Sequence, residues 1–128
     1  MNVNDLQNRF DRSEPLDYLF FWSHRPNADG SIGKTCFSQW FEASFEIDGI
    51  GYPTAEHYMM ASKARLFNDR VLLPEILAAN HPQQTQTLGR KIQGFQAEIW
   101  NEHDIVGSLR PTYTCCICEL LEFNIFFI

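Results

Sequence analysis

The segment from Tyr52 to Phe67, YPTAEHYMMASKARLF, constrains the fold more than any other part of this 128-residue chain. Pro53 and Thr54 supply a helix start, with proline leading in and the Thr54 side chain expected to accept a backbone N–H as N-cap. Beyond them Glu56, Met59, Met60, Lys63 and Phe67 recur at spacings of three, four and seven, the period of one helical face. Such a face is normally apolar throughout. Here an acid and an amine stand among apolar side chains, so burying the face buries charge with it. A buried ionisable group pairs, shifts its pKa or works on a ligand. The spacing therefore predicts a helix that is both core and candidate site.

At 45% hydrophobic residues the chain is long and apolar enough for one globular domain with a core of its own. The net charge of −6 argues against a general nucleic-acid binder, which needs a basic surface, but leaves room for a small anion held by local arginines. No segment has the apolar length of a membrane span. The N-terminal stretch MNVNDLQNRFDRSEPLDY is polar and mixed in charge, without the apolar centre of a signal peptide. These features predict an intracellular, cytoplasmic protein. Cys36 stands alone, while Cys115, Cys116 and Cys118 crowd near the end. Cys115 and Cys118 form a C-x-x-C pair, but a zinc site needs two further ligands at suitable spacing, and the nearest histidine is His103. The four read as ordinary reduced cysteines, with no metal and no cofactor expected.

Along the chain, residues 1–18 form a lead-in without evident structure, and Leu19 to Trp22 reads as a short strand. SHRPNADGSIGK, from Ser23 to Lys34, is a loop rich in glycine, asparagine and proline. Phe45 to Tyr52 is expected to be a hairpin with Asp48-Gly49 as its two-residue turn, pairing Ile47 with Ile50 and Phe45 with Tyr52. After the helix opened by Thr54, further helices are expected over Leu73 to Ala79 and from Pro82 through Leu88 and Ile92 to a stop at Gly94. A last one is expected over Phe95 to His103. The sum is an α+β fold, a mostly helical single domain with a small antiparallel β element.

FSQW at Phe37 to Trp40, the Asp48 to Phe67 stretch, and LGRKIQGF at Leu88 to Phe95 together resemble the NADAR domain family. The SHRP loop before them and IWNEHDIV after them fit the same pattern. The resemblance covers about Leu19 to Val106, giving a domain over 19–106 and a divergent apolar tail over 107–128. It implies an N-glycosidase. The implied substrates are ribosylated aminopyrimidine phosphates of the riboflavin pathway, or bases carrying ADP-ribose. After Val106 the family pattern continues into an asparagine-bearing helix and a segment with an aspartate and a tryptophan-glycine pair near the site. GSLRPTYTCCICELLEFNIFFI matches none of this. The resemblance thus implies a truncated form, such as a frameshift or retained intron produces. Comparing transcript with genomic sequence tests that reading.

Glu56 has two open roles. A first-turn acid can complement the helix dipole in solvent. It can also serve as acid or base at an N-glycosidic bond, whose cleavage passes through an oxocarbenium-like state and needs a proton at the leaving nitrogen or an activated water. The resemblance places Glu56 on the family's glutamate and favours the second role. Lys63 lies two turns on, with a side chain long enough to bring its amine toward Glu56. It is either a snorkelling or ion-paired lysine, or a group that contacts ribose and can form a Schiff base with a ring-opened sugar. The resemblance points to the sugar. Arg25 and Arg90 are candidate phosphate ligands, since the planar guanidinium matches phosphate oxygens; solvation is the alternative for each. His57 can orient Glu56 or substrate, or be a satisfied core histidine.

Trp22, Phe37, Trp40, Tyr58 and Trp100 offer flat faces for a base, although aromatics mostly fill cores. Trp22 and Phe37 flank the glycine-rich loop and are expected to wall the pocket, with Trp100 as a further binding residue. Met59 and Met60 are expected to fill core space. Three functions remain distinct at this point. One is an N-glycosidase acting on a ribosyl phosphate or ADP-ribosyl compound. The second is a nucleotide-binding module without turnover. The third is a poorly folding fragment with Phe123 to Ile128 as a sticky apolar end.

Overall fold

Asp48 and Gly49 take φ values of 51° and 76°, the positive pair that a tight type I′ hairpin requires. Around them, in the computed structural model of the chain, β1 (Phe45–Ile47) and β2 (Ile50–Tyr52) run antiparallel. Phe45 faces Tyr52 and Ile47 faces Ile50, the expected register. Residues 3–15 and 22–103 are described. The Phe45 and Tyr52 rings stack at 5.6 Å, and Tyr58 meets Tyr52 edge-on at 5.2 Å. This aromatic cluster seats the hairpin on the helix that follows.

That helix, α2 (Ala55–Leu66), begins at Thr54, which holds the extended N-cap conformation. Thr54 does not cap it in the expected way, because no backbone N–H reaches its side chain. Its hydroxyl lies 2.8 Å from His57 Nδ1, while His57 Nε2 lies 3.0 Å from the Ala79 carbonyl. The carbonyl can only accept, so Nε2 carries the proton and Nδ1 accepts from Thr54. The exposed donors of the first turn find other partners: the Glu56 N–H donates to the Gln39 carbonyl at 3.0 Å. The start of α2 is thus tied to the rest of the fold.

Three more helices surround or follow α2: α3 (Leu72–Ala78), α4 (Pro82–Gly89) and α5 (Ala97–Glu102). Pro82 sits in the first turn of α4, and His81 Nδ1 caps it by accepting from the Gln83 N–H at 3.1 Å. The expected extension of this helix to Ile92 is not formed. α4 stops at Gly89, and Ile92 reaches the core from the following loop before Gly94 turns the chain at φ 72°. At the other end, residues 3–11 form a helix, α1 (Val3–Asp11), where a structureless lead-in is expected. Its i to i+4 polar contacts include Gln7 to Asp11. Leu19 to Phe21 and residues 104–128 lie outside the described residues, as do the expectations placed on them. Trp22 belongs to no strand.

α2 packs against α3 and α4, which also pack on each other. Ala61 and Ala64, fully buried, let these helices approach closely, and Met60, Ile76, Ile92 and Tyr52 complete the core. Burying a side chain such as Ile76 contributes about 2 kcal/mol. Closest approach falls at Gly89, where an added Cβ would stand 2.1 Å from Met60 Sδ. Asp69 joins the turn before α3 to the chain after α4. It accepts from the N–H groups of Val71 and Leu72 through one oxygen and from Gln93 through the other. A second small cluster, Cys36, Phe37 and Phe41, gathers around the short 3-10 turn Lys34–Phe37. It carries the loop that faces the start of α2.

Candidate functional site

Glu56 is 1% exposed, at the first turn of α2. Its carboxyl accepts a hydrogen bond from the Trp40 side chain, whose one donor is the indole N–H. Oε1 has no hydrogen-bond partner among the described residues. Burial pushes the Glu56 pKa above the usual carboxylate range, and the Trp40 bond and the Arg90 charge pull it partly back. A carboxyl held neutral to higher pH, with one oxygen uncommitted, can both give and take a proton.

Trp40 links this acid to an open cleft. Its ring meets His24 edge-on at 5.5 Å and His81 at 6.3 Å. His24 and His81, with Arg25, Pro26, Phe41 and Glu42, line a cleft of about 390 Å³. That is within the size range of small-ligand sites. The Ser23 to Lys34 loop is pinned there by local bonds. Arg25 N–H donates to Ser23 Oγ, and the Arg25 carbonyl accepts from Thr35 Oγ1 at 2.6 Å. The Arg25 side chain is left exposed at the cleft.

Lys63 forms a second centre. Its Nζ donates to the Gly89 carbonyl at 2.9 Å and lies 4.1 Å from the Phe95 ring centre and 5.8 Å from that of Trp100. Burial pushes its pKa down. The expected approach of this amine to Glu56 is not seen. Ion pairs among the described residues include those of Arg9 and Arg12 with Glu14, and none joins Lys63 to Glu56. The two groups share one face of α2, about 10 Å apart along its axis, and the carbonyl and rings at the far end hold the amine there.

The other expected site residues scatter. Arg90 is exposed just past α4, donating to Gln86 Oε1 at 3.2 Å, and its charge reaches Glu56. Trp100 is half-buried near Lys63. His57 is buried with both ring nitrogens bonded, and burial holds its pKa down, so it works as a neutral bolt between α2 and Ala79. Phe37 lies in the small core cluster, and Trp22 is 92% exposed. Sequence reasoning assigned no role to His24, His81, Gly89 or Phe95, and gave Trp40 only a flat face. His81 carried a signal, standing before Pro82 at a helix start; the others became visible only through contacts distant in sequence. Among the described residues no group of three or more His, Cys, Asp or Glu is placed to hold a metal ion. No described helix is long and apolar enough to cross a membrane.

The family model of the NADAR domain matches residues 20–107. The chain belongs to the NADAR domain family. This NADAR chain is 36% identical over 96 residues to N-glycosidase R617 of Acanthamoeba polyphaga mimivirus, across 70% of this chain and 55% of that protein. It therefore spans about half the length of the curated relative it matches. No solved structure matches it. The matched region contains the cleft, Glu56 and Lys63 together.

Proposed function

We propose that this NADAR domain cleaves N-glycosidic bonds, with Glu56 as the acid/base. The observation that carries this reading is the buried Glu56 carboxyl with Oε1 uncommitted. Protonated Glu56 gives its proton to the leaving nitrogen as the bond to C1′ of ribose breaks, the bonding electrons staying on nitrogen. Water then adds to the oxocarbenium-like carbon, and its proton restores the carboxylic acid. The similarity to a protein named as an N-glycosidase supports the reaction class.

The substrates that suit it are ribosylated aminopyrimidine phosphates or ADP-ribosylated bases. Arg25, exposed on the cleft, is the phosphate ligand, with Arg90 as a second cation beside Glu56. Lys63 engages the ribose carbon. Its depressed pKa raises the share of neutral amine able to attack a sugar aldehyde. Incubation with each substrate, followed by release of the base, tests the proposal. Release is expected for the wild type and lost in Glu56→Gln.

One observation favours a second reading. The Lys63 amine is occupied by the Gly89 carbonyl and the Phe95 ring, away from Glu56. A domain with its amine so held can recognise a nucleotide without turning it over. Calorimetric binding of ADP-ribose with no base release from either substrate would select this module over the enzyme.

A further inference from the structure

The ring nitrogens of His81 are not equivalent. Nδ1 accepts the Gln83 N–H at 3.1 Å and caps α4. A nitrogen that accepts carries no proton, so in the neutral ring the proton sits on Nε2. His81 also lines the cleft, where Arg25 and Glu42 are among its neighbours. With Nδ1 spent on the cap, the ring atom left for a ligand is Nε2, and it is a donor. The ring packs edge-on against Trp40 at 6.3 Å, and His24 packs against the same indole at 5.5 Å. The loop and the start of α4 thus meet on one aromatic platform. Arg25 follows His24, and its N–H and carbonyl are bonded to Ser23 Oγ at 3.1 Å and Thr35 Oγ1 at 2.6 Å. Both are backbone bonds; among the described residues its guanidinium forms no ion pair. Glu42, in the same lining, offsets the Arg25 charge without pairing with it. An anion in this cleft therefore needs a second donor, and a neutral N–H supplies one without further charge.

We propose that His81 is the second phosphate ligand of the cleft: its Nε2–H donates beside the Arg25 guanidinium to the phosphate borne on the 5′ oxygen of the ribose. This rests on the reading of Arg25 as the phosphate ligand. A phosphate at that oxygen is common to the ribosyl monophosphate and the ADP-ribosyl compound, and a cleft of about 390 Å³ has room for a ribose phosphate. The guanidinium supplies charge and a fork of donors, and the imidazole adds one directed donor. His24 braces Trp40 from the loop side.

His81→Ser separates the cap from the ligand, because serine is a preferred N-cap and carries no Nε2–H. Calorimetry with ribose 5-phosphate at about pH 8, above the ordinary histidine range, keeps the ring neutral. The Kd of His81→Ser is expected to be about ten-fold weaker than that of the wild type, as loss of a hydrogen bond to a charged group implies, with the melting temperature little changed. Ribose without phosphate should not distinguish the two proteins. Equal affinity for ribose 5-phosphate overturns the proposal. The wild type alone gives a second reading, independent of whether the variant folds. With 15N-labelled histidine, ribose 5-phosphate should shift Nε2 of His81 and leave its capping Nδ1 in place, and a flat Nε2 response overturns the assignment. Arg25→Gln judges the underlying reading separately. Binding lost there but kept in His81→Ser leaves Arg25 as the phosphate ligand and rejects His81, whereas full affinity in Arg25→Gln rejects the reading of Arg25. A wild type that does not bind ribose 5-phosphate overturns both.

Discussion

Glu56 sits at the first turn of α2 with almost no access to water, where a charge is costly and a proton is retained. Replacing it by glutamine removes the exchangeable proton while keeping the shape. Base release is expected to fall by about 10²- to 10⁴-fold, the usual worth of general acid/base catalysis. The same change should stabilise the domain at neutral pH. The raised pKa means that the folded state holds its proton after the unfolded state has released it, so stability falls as pH rises from the ordinary glutamate value through the folded one. Glu56→Gln removes this slope, and its melting temperature should exceed that of the wild type at pH 7 and match it at pH 4. Lys63 belongs to a separate prediction. If its amine forms an imine with the sugar aldehyde, cyanoborohydride with ribose 5-phosphate should add mass to the wild type and none to Lys63→Ala. Full activity in Lys63→Ala would remove the covalent role.

At the scale of elements, the contact between α2 and α4 is set by a missing side chain. Gly89 ends α4 where a Cβ would press on Met60 Sδ and on Met60 Cγ at 2.9 Å. Its carbonyl also receives the Lys63 amine. Alanine normally improves a helix by up to about 1 kcal/mol. Here overpacking opposes it, because the added Cβ would fall on the buried Met60 side chain. Gly89→Ala is expected to destabilise the domain by about 1–3 kcal/mol in urea unfolding, and to displace the Lys63 amine from its carbonyl. A neutral or stabilising result would mean that α4 slides on α2 at little cost. The hairpin behaves differently. Its turn is formed by two adjacent residues that accept positive φ, and a two-residue turn sets the register seen across the strands.

Across the whole molecule, single polar groups staple segments that are distant in sequence. Asp69 is the clearest, with three backbone N–H groups from the start of α3 and the loop after α4 converging on its carboxylate. The Leu72 N–H, first among these donors, holds the Asp69 pKa below the ordinary range. A depressed carboxyl contributes stability above its unfolded pKa and loses it as pH falls through the folded value. Asp69→Asn should therefore lower the urea midpoint at pH 7, with the gap to the wild type closing as the solution is acidified below the ordinary aspartate range. An equal midpoint at pH 7 would show that the staple is idle. His57 is the buried counterpart, joining α2 to Ala79 as a neutral ring.

Local chemistry made much of this protein readable from its sequence. Asp48-Gly49 specified the turn, Pro53-Thr54 the start of α2 and His81-Pro82 the start of α4, because each acts on the few dihedral angles beside it. The three-and-four spacing around Glu56 correctly foretold an ionisable group inside the core, and the motifs pointed to the family. Tertiary structure alone decided what those groups meet. It gave the Lys63 amine to the Gly89 carbonyl and Phe95, the Thr54 hydroxyl to His57, and the Glu56 carboxyl to Trp40. It also ended α4 at Gly89 and left Trp22 in solvent. Periodicity says which side chains share a face. The identity of a partner depends on how helices and loops distant in sequence come together, and no local pattern encodes that packing.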